Sequence, residues 1–109
     1  MRLMSTVGAA QTGALTGDTF NMHDTRRANK RVFQFELVSG TATFLLEGRI
    51  GDDQSWVTLD TDTADTSAVV DAWPQMRLRL SAATAAVVVA DIDGDGRLNS
   101  GRDSDRTDN

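Results

Sequence analysis

Thr41-Ala-Thr-Phe-Leu-Leu-Glu-Gly-Arg-Ile50 decides the fold class of this chain. Ala42, Phe44, Leu46, Gly48 and Ile50 share one parity, while Thr43, Glu47 and Arg49 fall on the other. A period of two predicts a β-strand with one face turned to a core and one to water. Downstream, Gln75-Met-Arg-Leu-Arg-Leu-Ser81 repeats the pattern, with Met76, Leu78 and Leu80 inward and Arg77 and Arg79 outward. Upstream, Val32-Phe-Gln-Phe-Glu-Leu-Val38 aligns Phe33, Phe35 and Leu37, and its β-branched and aromatic residues suit a strand. Ser39-Gly40 reads as a turn between the first two of these segments, and Gly51-Asp-Asp-Gln-Ser55 as a hairpin loop.

Further segments complete the pattern. Ser55 to Leu59 carries Trp56, Val57 and Leu59 as a strand; Asp60 to Ser67 is polar and acidic and reads as a surface loop. Ala68-Val-Val-Asp-Ala-Trp73 is a short edge segment, followed by Pro74 where a strand can begin. Ala85 to Ala90 is apolar at both parities, which predicts a strand covered on both faces. About six short strands at this spacing predict an all-β fold, a small antiparallel β-sandwich.

The flanks read differently. Residues 1–31 form an extended N-terminal arm, Gly/Thr-rich from Ser5 to Met22, with little apolar surface to offset the entropy of ordering. Residues 32–90 form the β-sandwich domain, and residues 91–109 a polar acidic Asp/Gly-rich tail.

Composition narrows the function. The 109 residues suffice for one modest core, and a net charge of -5 gives no general attraction to nucleic acid or to an anionic membrane. The absence of cysteine excludes disulfides, a thiol nucleophile and cysteine-ligated zinc. The start lacks the apolar run of a signal peptide, and no stretch approaches the roughly 20 apolar residues of a helical membrane span.

Asp91-Ile-Asp-Gly-Asp-Gly-Arg-Leu-Asn99 is the sharpest local signal. Carboxylates at alternate positions can converge on a hard cation where the backbone curls, and the glycine at the sixth place permits the curl. Asp91, Asp93 and Asp95 would be direct ligands, Arg97 would offer its carbonyl, and Asn99 and Asp103 would complete the set. The stretch resembles the first nine positions of an EF-hand or dockerin-type calcium loop. It departs from that pattern at the twelfth place, where Arg102 replaces the bidentate acid. With a ligand missing, Ca2+ would bind weakly, in the range of roughly 10⁻⁴–10⁻³ M. A solvated Gly/Asp-rich tail accounts for the same residues.

Arg26, Arg27, Lys30 and Arg31 hold four of the eleven basic residues and could meet an acidic partner surface, or simply be a solvated lead-in. They lack the interleaved aromatics of a single-strand binder. The single histidine, His23, has no evident nucleophile beside it, and the paired acids sit in polar loops without an apolar pocket. Enzymatic activity is not expected. Trp56 and Trp73 could present faces to a sugar, but alternating apolar strands place such aromatics more often in a core or subunit interface.

Gly40 to Arg49, Ser55-Trp-Val-Thr-Leu59 and Trp73-Pro-Gln-Met-Arg-Leu-Arg-Leu80 together resemble small β-sandwich proteins of tailed-bacteriophage particles. The resemblance covers Gly40 to Ala90, about half of the chain. It implies a virion structural protein: a capsid decoration or cement protein on the capsid surface, made in the host cytoplasm, that binds the major capsid (coat) protein and stabilises the head. It implies a homo-oligomer, with a trimer as one expected number. Arg77 and Arg79 would then pair with acids of the coat or of a sister subunit, or remain solvated. A neck or tail component, and a secreted calcium-dependent carbohydrate-binding module, are the competing readings.

Overall fold

A computed structural model describes residues 1–22 and 30–93, and the backbone of 96–98. The protein is all-β and antiparallel, with no helix among the described residues. Its strands are β1 (Arg2–Ser5), β2 (Leu15–Thr16), β3 (Phe20–Met22), β4 (Lys30–Arg49), β5 (Val57–Asp62), β6 (Thr66–Asp71), β7 (Gln75–Ile92) and β8 (Gly96–Leu98).

The two long strands organise the rest. β4 and β7 pair along almost their whole length, from Phe33 opposite Ile92 to Arg49 opposite Gln75. On the free side of β4, β5 lies against its C-terminal half and β6 against its N-terminal half. On the free side of β7, residues 1–22 run antiparallel to it: β1 opposite Asp91 to Val89, Gln11 opposite Ala86, β2 opposite Leu80 and Arg79, and β3 opposite Met76 and Gln75. β8 extends the sheet beyond β3. The chain thus makes four antiparallel ribbons, in the order β5–β6, β4, β7, and β1–β2–β3.

The two long strands bend at one level. Phe35 and Phe44 are nine positions apart on β4, which a straight strand would stretch over about 30 Å. Their ring centroids are 4.3 Å apart and stacked, and Phe33 lies 5.5 Å from Phe44. The strand therefore doubles back, and its two halves face one another across the core. The buried parity also switches along β4: Phe33 and Phe35 are odd, whereas Ala42, Phe44 and Leu46 are even, yet all five are buried. A straight strand would send the two sets to opposite faces. Irregular register between Leu37 and Phe44 supplies the odd residue that turns the face over. At the bend, Gly40 has φ +78° and Ala85, on β7, has φ +45°.

Met76, Leu78 and Leu80 from one half of β7 and Val88, Ala90 and Ile92 from the other close the core. Each fully buried large side chain contributes about 1.5–3 kcal/mol.

Several expectations need correcting. Ser39-Gly40 is a bend inside one strand and not a turn between two. The acidic stretch Asp60 to Ser67 is mostly strand, because Asp60 to Asp62 belong to β5 and Thr66 and Ser67 to β6. Ile50, expected inward, is 70% exposed beyond the end of β4. Ala86, Val88 and Ala90 are buried, but Val87 and Val89 are only half covered, since the neighbours of β7 flank its edges and leave its outer face open.

Residues 1–22, expected to be loosely pinned, are held along the edge of β7. Leu3 and Met4 are in the core. Gln11 exchanges both backbone bonds with Ala86 at 2.8 Å, and the Thr12 hydroxyl accepts the Ala85 N–H at 3.0 Å. The buried Thr6 hydroxyl donates to the Ala86 carbonyl at 2.8 Å and accepts the Val88 N–H at 2.9 Å. Backbone pairing and the buried Leu3, Met4 and Met22 side chains provide what the small residues lack. Thr6→Val keeps the shape and leaves both Ala86 and Val88 without that partner, so it is expected to cost about 1–3 kcal/mol in denaturant unfolding. An unchanged midpoint would show that these bonds do not hold the segment.

Candidate functional site

The outer face of β5, the C-terminal half of β4 and the N-terminal half of β7 carries the densest polar cluster among the described residues. Register assembles it: Glu47 stands opposite Arg77, Leu45 opposite Arg79, and Arg49 opposite Gln75. Arg77 Nε donates to Glu47 Oε1 at 2.7 Å, and Arg79 Nη2 reaches Oε2 at 3.2 Å. Trp56, leaving the loop after β4, is half-buried with the Arg49 guanidinium 4.3 Å and the Arg77 guanidinium 4.2 Å from its ring centroid. Arg49 Nε donates to Gln75 Oε1 at 2.7 Å, and Gln75 Nε2 donates to Asp52 Oδ1 at 2.7 Å and Asn21 Oδ1 at 3.0 Å. One network therefore ties β3, β4, β7 and the 50–56 loop together.

Its electrostatics are those of a lock. The Glu47 side chain is 5% exposed. Burial pushes its carboxyl upward, but hydrogen bonds from Arg79 and Arg77, with their positive charges, outweigh that and hold it below the usual glutamate range. An ionised carboxylate with both oxygens engaged by arginines has no proton to give and is poorly placed to take one. Because the folded state favours the ionised form, the pair stabilises the protein at neutral pH, and this contribution fades as pH falls below the unfolded value of about 4.3. Glu47→Gln is expected to cost about 1.5–3 kcal/mol at pH 7. It should also flatten the loss of stability below about pH 4. Parallel acid unfolding curves for the two proteins would contradict this assignment.

The arginines expected to reach a partner's acids, Arg77 and Arg79, thus have their carboxylate in their own chain. Lys30 pairs with Asp71 at 2.5 Å, and Arg31 is half-buried on β4. Arg26, Arg27 and His23 lie outside the described residues. Of the expected calcium ligands, Asp91 lies within extended β7 and pairs with Arg2 Nε at 2.6 Å. Asp93 accepts the Val32 N–H at 2.6 Å. The Arg97 backbone belongs to β8, opposite Asn21. Asp95, Asn99 and Asp103 lie outside the described residues. No group of three or more His, Cys, Asp or Glu suited to a metal occurs among the described residues.

Trp73 lies across Gly48, where a Cβ would come within 2.7 Å of Trp73 Cγ, so the strand glycine makes room for the indole. Neither tryptophan presents a clear platform: Trp56 has guanidiniums against its ring and Trp73 packs on backbone and core. Shallow, open depressions lie among the described residues, one of about 330 Å³ at the bend, lined by Thr41, Thr43, Thr63 and the Ala82–Thr84 stretch. Another, about 270 Å³, lies between Gln34, Glu36, Asp65 and Ser67.

Sequence reasoning passed over Glu47. The available signal was a lone acid at an outward position next to Arg49, with Arg77 and Arg79 at matching outward positions on another strand. No family model, curated protein or solved structure matches this chain.

Proposed function

We propose that this protein is a non-catalytic virion structural protein, a decoration or cement protein that docks on the outer surface of a bacteriophage coat and stabilises the head. In this reading the folded sheet is a small two-layer β-sandwich. The observation that carries the docking role is the self-satisfied polar cluster around Glu47: its charged groups brace four segments of the chain against one another. Such a body suits attachment by surface. A protein that binds only the assembled shell stabilises that state by mass action. The assignment of the particle rests on the resemblance of Gly40 to Ala90.

Co-sedimentation tests it. The purified protein is expected to pellet with particles that lack it and to raise the temperature at which they release DNA. Failure to pellet with heads, together with binding to isolated tails or necks, would move it to the neck or tail. Failure to bind any particle would end the virion reading. The carbohydrate-binding alternative is disfavoured by the guanidiniums against Trp56. It would return if millimolar calcium raised the melting temperature and promoted binding to a glycan surface.

A further inference from the structure

Four stretches of sheet edge, β1–β2, β8, β5 and β6, have no further strand beside them among the described residues, and they are not alike. Along residues 1–16 the edge is broken into strands of four and two residues, and β8, beyond β3, has three. β5 carries a register irregularity opposite Leu46 and Glu47 and the acids Asp60 and Asp62. β6 is neither broken nor bulged, and its one acid, Asp71 at the end, is paired with Lys30 of its own chain. Thr66-Ser-Ala-Val-Val-Asp71 pairs with β4 in unbroken register and contains no proline, lysine or bulge. Natural sheets rarely leave such an edge unguarded.

The backbone shows which groups this edge offers. The Val32 carbonyl accepts the Asp93 N–H at 3.0 Å, and the Val32 N–H donates to Asp93 Oδ1 at 2.6 Å. Both Val32 groups therefore point away from β6, so Val32 and Val69 form the kind of antiparallel pair that exchanges no backbone bonds. Val69 must then turn its own N–H and C=O to the outer edge, and by alternation so must Ser67 and Asp71.

We propose that two copies of this chain join edge to edge through β6, in an antiparallel pairing centred on Val69. The arrangement is self-complementary. Val69 exchanges both backbone bonds with Val69 of the second copy, and Ser67 does so with Asp71 of that copy. On the outer face, Val32 and Val69, 50% and 67% exposed, become one continuous row of four valines. The next row reads Lys30, Asp71, then Ser67 and Gln34 of the second copy, so no like charges meet. A two-fold centred one residue away would present backbone groups already used by β4. This pairing is independent of the virion reading, because it concerns the free protein.

The chain has no cysteine, so cross-linking of the full chain is unambiguous. Val69→Cys brings two thiols together at a hydrogen-bonded pair, where the Cα separation of about 5.5 Å fits a disulfide. Ser67→Cys places its two copies about 13 Å apart, since residue 67 faces 71. Oxidation is expected to give a reducible dimer from the first variant and monomer from the second. Sedimentation should show a dimer for the unmodified chain. Val69→Lys, which sets two positive charges face to face, should weaken it roughly tenfold or more with the melting temperature unchanged. A monomer at high concentration, equal cross-linking at 67 and 69, or an oligomer that survives Val69→Lys would each overturn the proposal. The cysteine comparison stands even if the lysine variant does not fold.

Discussion

Phe44→Ala is expected to cost about 3–5 kcal/mol, a large part of the 5–15 kcal/mol that holds a typical domain together. Phe44 is fully buried, stacks on Phe35 and tilts against Phe33. It is where the C-terminal half of β4 meets the N-terminal half, so its removal opens a void between the two halves of one strand. Rings from both sides were fixed by the same contact, and backbone bonds along β4 limit how far the void can collapse. Equilibrium denaturation reads the effect. A loss below about 1 kcal/mol would mean that the two halves do not pack through this ring.

Gly40→Ala should be nearly as damaging despite adding a single methyl group. At φ +78° an L-residue is strained by about 1–2 kcal/mol. The new Cβ would also collide with the Ala85 carbonyl and come within 2.6 Å of the Thr84 carbonyl, both backbone atoms of the neighbouring strand. Neither can swing aside as a side chain could, so β4 and β7 must separate where both bend. A total of about 3 kcal/mol or more is expected. Ala85→Gly makes the contrast: it relieves a left-handed alanine at the same level and should be neutral or slightly stabilising. If both substitutions proved neutral, the bend would lie elsewhere.

The all-β character was legible because alternation is local. Phe33 and Phe35, Phe44 and Leu46, and Met76, Leu78 and Leu80 were all placed on the inward face by parity alone, and all are buried. Continuity was not legible. Ser39-Gly40 has the composition of a turn, and only the partner strand decides that the chain bends there and continues. Asp60, Asp62 and Thr66 look like loop residues, yet backbone pairing with β4 makes them strand. Residues 1–22 failed the same way: their order comes from the edge of β7, some eighty positions away. The cluster around Glu47 was half visible. The outward parity of Arg77 and Arg79 is sequence information, but their choice of Glu47 over a foreign acid depends on a register that no local pattern encodes.

The central structural claim is that one sheet doubles over so that Phe35 meets Phe44, and nuclear Overhauser contacts test it most directly. Strong contacts between the ring protons of Phe35 and Phe44 are expected, with weaker ones from Phe33 to Phe44. A flat sheet would hold the Phe35 and Phe44 rings about 30 Å apart and show no such contact, and the account would fail.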